Sequence, residues 1–242
     1  RRKRETRTQG FDDLLHRFDA ALAGAGGKAL ARRVTRSAKV ALIDEFQDTD
    51  PVQYAIFRRL HEYTGMPLFL IGDPKQAIYG FRGADVFSYV DAARAAGTSG
   101  HTLGTNYRSD PSLVQAVNTL FEHTRDPFVL PEIRFHRVEP APTARERIGG
   151  PGAPPAALTF LVMPCTEELA SAKAGPGKPV ILKGRADAVL PRHVAGEITR
   201  LLDAEVTVAG EPIRPRHVAV LCRTNAQARA VQTELRALGV PT

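Results

Sequence analysis

Sulfur is scarce in this chain: two cysteines, Cys165 and Cys222, stand far apart in 242 residues with no His or Cys at metal-ligand spacing beside either. That excludes a disulfide framework and a Cys/His zinc site, and suits a reducing cytoplasm. Long apolar runs are also missing. Nothing approaches the roughly 20 residues that span a bilayer, and the opening RRKRETRTQG has no apolar region behind it to make a signal peptide, so no membrane association is expected. A third absence is chemical: no GxxxxGK followed by Ser or Thr occurs, the pattern of a phosphate-cradling loop. The nearest approach is GAGGKAL, Gly24–Leu30. It has Leu22 where the first Gly belongs and Ala29 where the hydroxyl belongs, and it follows a helix pattern, so it reads as a flexible turn.

What is present is a core and a charge. With 43% hydrophobic residues the chain can bury the interior of one large domain or two modest ones. A formal net charge of +7 and a pI near 9.7 favour an anionic partner, nucleic acid above all, over an acidic substrate. The basic N-terminus either grips phosphates or is a solvated end.

Periodicity divides the text. In FDDLLHRFDAAL, Phe11, Leu14, Leu15, Phe18 and Leu22 recur at helical spacing. KVALI reads as a buried strand, PVQYAIFRRLHEY as a helix with Asp50 as N-cap and Pro51 in its first turn, and PLFLIGD as a second apolar strand. Strand, helix and strand, both strands apolar throughout, predict a parallel sheet covered on both faces, and an α/β fold. After a Gly/Ala-rich joint at 95–100 a new α/β unit is expected, its helix opened by Asp110 and Pro111 with Leu113, Val114, Val117, Leu120 and Phe121 inward. Residues 139–156, rich in Pro and Gly, suit a connection. Beyond them ALTFLVM reads as a strand, KGRADAVL as a loop, RHVAGEITRLL as a helix, RHVAVLCR as a strand, and NAQARAVQTELRALG as a helix closed by Gly239.

Four carboxylates crowd the end of the first strand in VALIDEFQDTD. In a parallel sheet ligands bind beyond the carboxyl ends of the strands, where Asp44 and Glu45 leave KVALI. Two adjacent acids facing one crevice repel unless a cation or proton lies between them. This favours a magnesium-holding Asp44 and a Glu45 that orients or deprotonates a water, whereas Asp50, with Asp48 beside it, suits helix capping. The second strand runs into IGDPKQAIYGFRGAD. There Gln76 has both donor and acceptor to bridge a phosphate oxygen or a water, Tyr79 and Phe81 offer faces for bases, and Arg82 and Lys75 offer cations. The alternative is two core aromatics and two surface cations.

These segments together resemble the superfamily 1 DNA helicases of the UvrD and RecB type. IDEFQDTDPVQY is similar to their motif II, IGDPKQAIYGFRGAD to motif III and TLGTNYRSDPSLVQAVNTLF to motif IV, while FDDLL and DPFVLPEIRFHRVEPA resemble the RecB branch. The resemblance covers most of residues 11–138 and, more weakly, VAVLCRTNAQARAVQTEL. It implies parts of two RecA-like, P-loop-NTPase-type parallel-sheet domains. Residues 1–37 would be a helical lead-in from an insertion, 38–98 the end of the first domain, and 99–242 the start of the second. It implies ATP and Mg2+, with Asp44 holding the metal, Glu45 as general base, Gln76 sensing the γ-phosphate, Tyr107 stacking on adenine and Arg108 acting as an arginine finger. Tyr79, Phe81 and Arg82 would line the single-strand path; many relatives have Trp at the position of Phe81, in a chain with no Trp at all. Arg223 and Asn225 would touch the DNA backbone.

The implied protein is an ATP-dependent motor of a bacterial, nucleoid-associated helicase-nuclease that acts on DNA ends with RecC-like and RecD-like subunits. A UvrD-like or AddA-like repair helicase and a non-catalytic DNA-binding remnant are the alternatives. With the phosphate loop missing, the chain is expected to be an internal piece and inactive alone.

Overall fold

The computed structural model describes residues 9–80, 85–166 and 180–242. Two compact units arise, the first from residues up to Thr102 together with Thr124–Phe135, the second from Leu103–His123 and His136–Thr242.

The first unit starts with α1 (Phe11–Ala23) and α2 (Gly27–Val34). The expected turn at GAGGKAL is confined to residues 24–26, and the rest is helix. The reason is contact: a Cβ on Gly27 would lie 1.8 Å from the Leu22 carbonyl oxygen, so only glycine lets α2 begin there. Along α1, Leu15, Phe18 and Leu22 turn inward as the spacing predicts, whereas Phe11 and Leu14 are exposed. β1 (Ala41–Ile43), α3 (Pro51–Thr64) and β2 (Leu68–Leu70) follow. The Asp50 carboxylate accepts the Val52 and Gln53 N–H groups at 2.9 and 3.1 Å, so Asp50 and not Asp48 caps α3. Leu22, Ala31, Ile56, Leu60 and Met66 form the core, each buried large aliphatic contributing about 1.5–3 kcal/mol. Arg59 of α3 pairs with Asp19 of α1 across its edge.

β1 and β2 are parallel in the register Ala41↔Leu68, Leu42↔Phe69, Ile43↔Leu70. Only one face of this ribbon is packed. Ala41 joins the core, but the cross-strand pair Leu42 and Phe69 is exposed, so the expected two-sided coverage is not found among the described residues. α4 (Val86–Ala96) also belongs to this unit, with Asp85 accepting the Phe87 N–H.

In the second unit β3 (Thr105–Asn106), α5 (Pro111–Glu122) and β4 (Glu139–Pro140) form a small parallel arrangement. Leu120 is exposed against expectation, and Asn118 is buried on α5 instead. Its side chain donates to the Val138 carbonyl at 2.8 Å and accepts the Val138 N–H at 3.3 Å, docking the approach to β4 on the helix. β5 (Ile148–Gly149) lies in the Pro/Gly-rich stretch and pairs antiparallel with β6 (Thr207–Val208), which pairs with β7 (Glu211–Pro212). α6 (Lys183–Asp203) packs on α7 (Asn225–Ala237) through Ala195, Ile198, Val231 and Leu235. Gly239, with φ +75°, closes α7 as expected.

Three expectations are corrected here. KGRADAVL is the first part of α6, which runs through Pro191. ALTFLVM and RHVAVLCR form no strand: the first is irregular and the second opens on the end of a 3-10 turn, Pro215–His217, before an irregular stretch, with Phe160, Leu161, Val162 and Leu221 exposed. An apolar run becomes a strand only when a neighbour takes its hydrogen bonds, and among the described residues none runs beside either.

Candidate functional site

The carboxyl ends of β1 and β2 are tied by their backbones: the Ile71 N–H donates to the Ile43 carbonyl at 2.8 Å, and the Phe46 N–H donates to the Ile71 carbonyl at 2.9 Å. This brings the loop bearing the acids against the loop bearing Gln76. Asp44 and Glu45 are exposed at the tip. The Glu45 N–H donates to Asp44 Oδ1 at 2.9 Å, and Glu45 takes a left-handed backbone with φ 49°, ψ 43°. A non-glycine residue there costs on the order of 1–3 kcal/mol, retained only because the surroundings fix it.

What fixes it is Gln47. Only 1% of Gln47 is exposed; its Nε2 donates to Glu45 Oε2 at 2.6 Å and its Oε1 accepts the Asp73 N–H at 3.0 Å. A Cβ on Gly72 would lie 2.6 Å from that Oε1, so glycine leaves the space the amide fills. Phe46, 2% exposed, anchors the turn from below, edge-on to Tyr54 at 5.2 Å between centroids and tilted against Tyr89 at 5.9 Å.

Asp73 organises the second loop. Its carboxylate accepts the Lys75 N–H at 3.0 Å, the Gln76 Nε2 at 3.1 Å and the Lys75 ammonium at 2.6 Å. Burial pushes its pKa up, but hydrogen bonds from the Lys75 and Gln76 side chains and the Lys75 amide, with the Lys75 charge, outweigh it and hold the carboxyl below the usual range. The same arrangement occupies Lys75, which the sequence offered as a phosphate-binding cation. Burial raises the Tyr89 phenol, with the Asp73 charge adding to it; its hydroxyl points to the Gly72 carbonyl at 3.4 Å.

Glu45 and Gln76 therefore belong to one hydrogen-bonded chain: Glu45, Gln47, Asp73, Gln76. Tyr79 sits further along the same loop, exposed, while Phe81 and Arg82 lie outside the described residues. Asp44 offers hard carboxylate oxygens at an exposed position, which fits a Mg2+ held by one carboxylate with phosphate and water oxygens. Among the described residues no group of three or more His, Cys, Asp or Glu converges as an all-protein metal cage.

In the second unit Tyr107 is 81% exposed, and Arg108 is exposed beside it, on the turn leaving β3. Asn106 Oδ1 shapes that turn by accepting the Arg108 and Ser109 N–H groups, each at 2.9 Å. The Arg147 guanidinium donates to the Arg108 carbonyl at 3.1 Å and to the Asp110 carboxylate. Arg223 and Asn225 are exposed at the start of α7, where Thr224 caps the helix by accepting the Gln227 N–H at 3.3 Å. Sequence reasoning took Gly72 as a mark of a shaped loop but passed over Gln47, Asp73 and Arg147. The readable signal for Gln47 was an amide two residues beyond the acids.

The sequence pattern of the UvrD/REP helicase N-terminal domain matches residues 1–96. The RecBCD enzyme subunit RecB of Escherichia coli is 51% identical over 142 residues, covering 58% of this chain and 12% of that protein. The RecBCD enzyme subunit RecB of Mycolicibacterium smegmatis is 36% identical over 241 residues, covering 99% of this chain and 21% of that protein. That of Haemophilus influenzae is 46% identical over 136 residues, covering 54% and 11%. The chain thus spans at most about a fifth of the length of these curated relatives.

Proposed function

This chain belongs to the RecB-like group of UvrD/REP helicases, and on that premise we propose that it supplies part of the ATP-driven motor of a helicase-nuclease that processes DNA ends. The observation that carries this reading is the coupled pair of loops at the carboxyl ends of β1 and β2, where Glu45 and Gln76 share one hydrogen-bond chain. In an open α/β sheet that edge is where ligands bind.

Asp44 is the residue assigned to Mg2+, which when bound supplies neutralisation of the phosphate charge. Glu45 orients the attacking water and accepts its proton as the water oxygen bonds to the γ-phosphorus and the bond to the β-phosphate oxygen breaks, releasing ADP. Gln76 reads the γ-phosphate or the water with its amide, and its bond to Asp73 passes any displacement to the loop that continues to Tyr79. Tyr79, Phe81 and Arg82 are assigned to stacking and phosphate contact along single-stranded DNA, Tyr107 to the adenine, Arg108 to charge developing in transfer, and Arg223 and Asn225 to the DNA backbone. In this reading residues 38–98 and 99–242 are parts of two RecA-like domains. RecC-like and RecD-like subunits are the proposed partners, since the relatives are subunits of a RecBCD enzyme.

The test is DNA-stimulated ATP hydrolysis and unwinding from duplex ends by the full-length protein carrying this sequence. Glu45→Gln and Arg108→Ala each lower kcat by at least about 100-fold while single-strand binding persists. Wild-type turnover in both variants would refute the assignment.

A further inference from the structure

Gln47 is neither an acid nor a phosphate ligand, yet it is the most enclosed polar side chain beside the candidate site. We infer that Gln47 is a positioning residue: its amide holds the Glu45 carboxylate in place for water activation and locks it to the loop that carries Gln76. The inference rests on the reading of Glu45 given above and adds the group through which Glu45 is set.

Three features of the geometry support it. The two ends of the Gln47 amide serve different loops, with Nε2 donating to Glu45 Oε2 at 2.6 Å and Oε1 accepting the Asp73 N–H at 3.0 Å. A buried amide satisfied at both ends has one rotamer of low energy, since turning it over would set its NH2 against the Asp73 N–H and its carbonyl against a carboxylate. Glu45 itself is exposed and stands on a left-handed backbone, and the Gln47 amide is what holds its carboxylate against free rotation into solvent. Finally, the Gly72 site is shaped to the amide, since an added Cβ would come within 2.6 Å of Gln47 Oε1. Two loops from two strands are thereby held in one register, and the water-activating carboxylate and the phosphate-reading amide of Gln76 move together.

Gln47→Glu separates this role from mere packing. It keeps the shape and the acceptor for Asp73 but replaces the donor facing Glu45 with a second carboxylate. In the full-length protein we expect kcat for DNA-stimulated ATP hydrolysis to fall at least tenfold, KM for ATP to stay within threefold, and single-strand DNA affinity to stay within twofold. Hydrogen exchange at the Asp73 amide stays as slow as in the wild type. Gly72→Ala, whose Cβ would press on the Gln47 amide oxygen at 2.6 Å and meet the Phe46 backbone nitrogen at 3.0 Å, gives the same kcat loss, now with faster exchange at Asp73, and serves as the test if Gln47→Glu does not fold. Combining the two changes adds little to either alone. Glu45→Gln is measured alongside. If it abolishes turnover while Gln47→Glu and Gly72→Ala stay within twofold of wild type, the positioning role is overturned and the reading of Glu45 stands. Turnover that survives Glu45→Gln overturns both.

Discussion

Asp110 and Arg147 are joined twice: the Arg147 N–H donates to Asp110 Oδ2 at 2.8 Å, and its guanidinium donates to Asp110 Oδ1. Asp110 stands at the N-cap position of α5 with Pro111 behind it, yet its carboxylate makes no capping bond. The capping is done by Glu146, whose carboxylate accepts the Ser112 N–H at 2.8 Å and the Ser112 hydroxyl at 2.7 Å. Adjacent residues Glu146 and Arg147 thus swap the expected duty of Asp110 for a link to the Arg108 carbonyl, and the turn bearing Tyr107 and Arg108 is held by Asn106 on one side and Arg147 on the other.

Arg147→Ala leaves the buried Asp110 carboxylate with a backbone partner only. The pair is half open to solvent on the arginine side, so the loss is that of a partly screened charged hydrogen bond, about 1–2 kcal/mol in urea unfolding of the chain. In the full-length protein the same change lowers kcat with little effect on DNA affinity, because the Arg108 turn loses a support and Arg108 itself is intact. A loss of stability with normal kcat would show that Arg147 serves folding only.

Asp73 gives a signed pH effect. Its carboxyl is held below its ordinary value of 3.8, mainly by Lys75 and Gln76 acting against burial. A group depressed in the folded state contributes stability that is present above the unfolded value and lost as pH falls through the folded one. Unfolding free energy therefore declines below about pH 4, and Asp73→Asn removes that part of the slope while lowering stability at neutral pH. Urea titrations of wild type and variant between about pH 6 and pH 3 check both parts.

Asn118→Ala removes both bonds to Val138 and leaves its partly buried N–H and carbonyl without that partner, at a cost of about 1–2 kcal/mol. Asn118→Asp retains only the acceptor and costs nearly as much. Leu120→Ala on the same helix, exposed at 44%, costs under about 0.5 kcal/mol. The ordering Asn118 above Leu120 in thermal or urea unfolding is the reverse of what hydrophobicity alone predicts.

That reversal shows where the sequence was legible. Elements whose local signals agreed appear where the text puts them: Asp50 with Pro51 opens α3, KVALI and PLFLIGD give parallel β1 and β2, and Gly239 closes α7. The strand ends with Asp44 and Glu45 are readable for the same reason, since an apolar run stopping at two acids has few structural uses. Pairwise facts are not local. Arg147, the partner of Asp110, lies 37 residues away, and Asp73, one of the two partners of Gln47, lies 26 away; spacing along the chain says nothing about either. ALTFLVM carries a strand pattern, but a strand also needs a neighbour, which a pattern cannot supply.

Tyr107 permits the sharpest separation of binding from folding. Its ring is 81% exposed, so it contributes almost nothing to the core, and an exposed aromatic on a turn shaped by Asn106 has a function to perform or none. If it stacks on adenine, Tyr107→Ala removes a contact of about 1–3 kcal/mol, which raises KM for ATP by roughly 5- to 150-fold in the full-length protein. Tyr107→Phe keeps the face of the ring and leaves KM within about twofold. Neither variant moves the unfolding free energy by more than about 0.5 kcal/mol, because little is buried. GTP hydrolysis supplies the control: guanine also offers a π face, so a ring acting by stacking alone loses ATP and GTP affinity in parallel. Unequal losses would assign Tyr107 a hydrogen-bonding role through its hydroxyl, which Tyr107→Phe would then reproduce. An unchanged KM in Tyr107→Ala would remove the ring from nucleotide binding and leave the Arg108 assignment standing by itself.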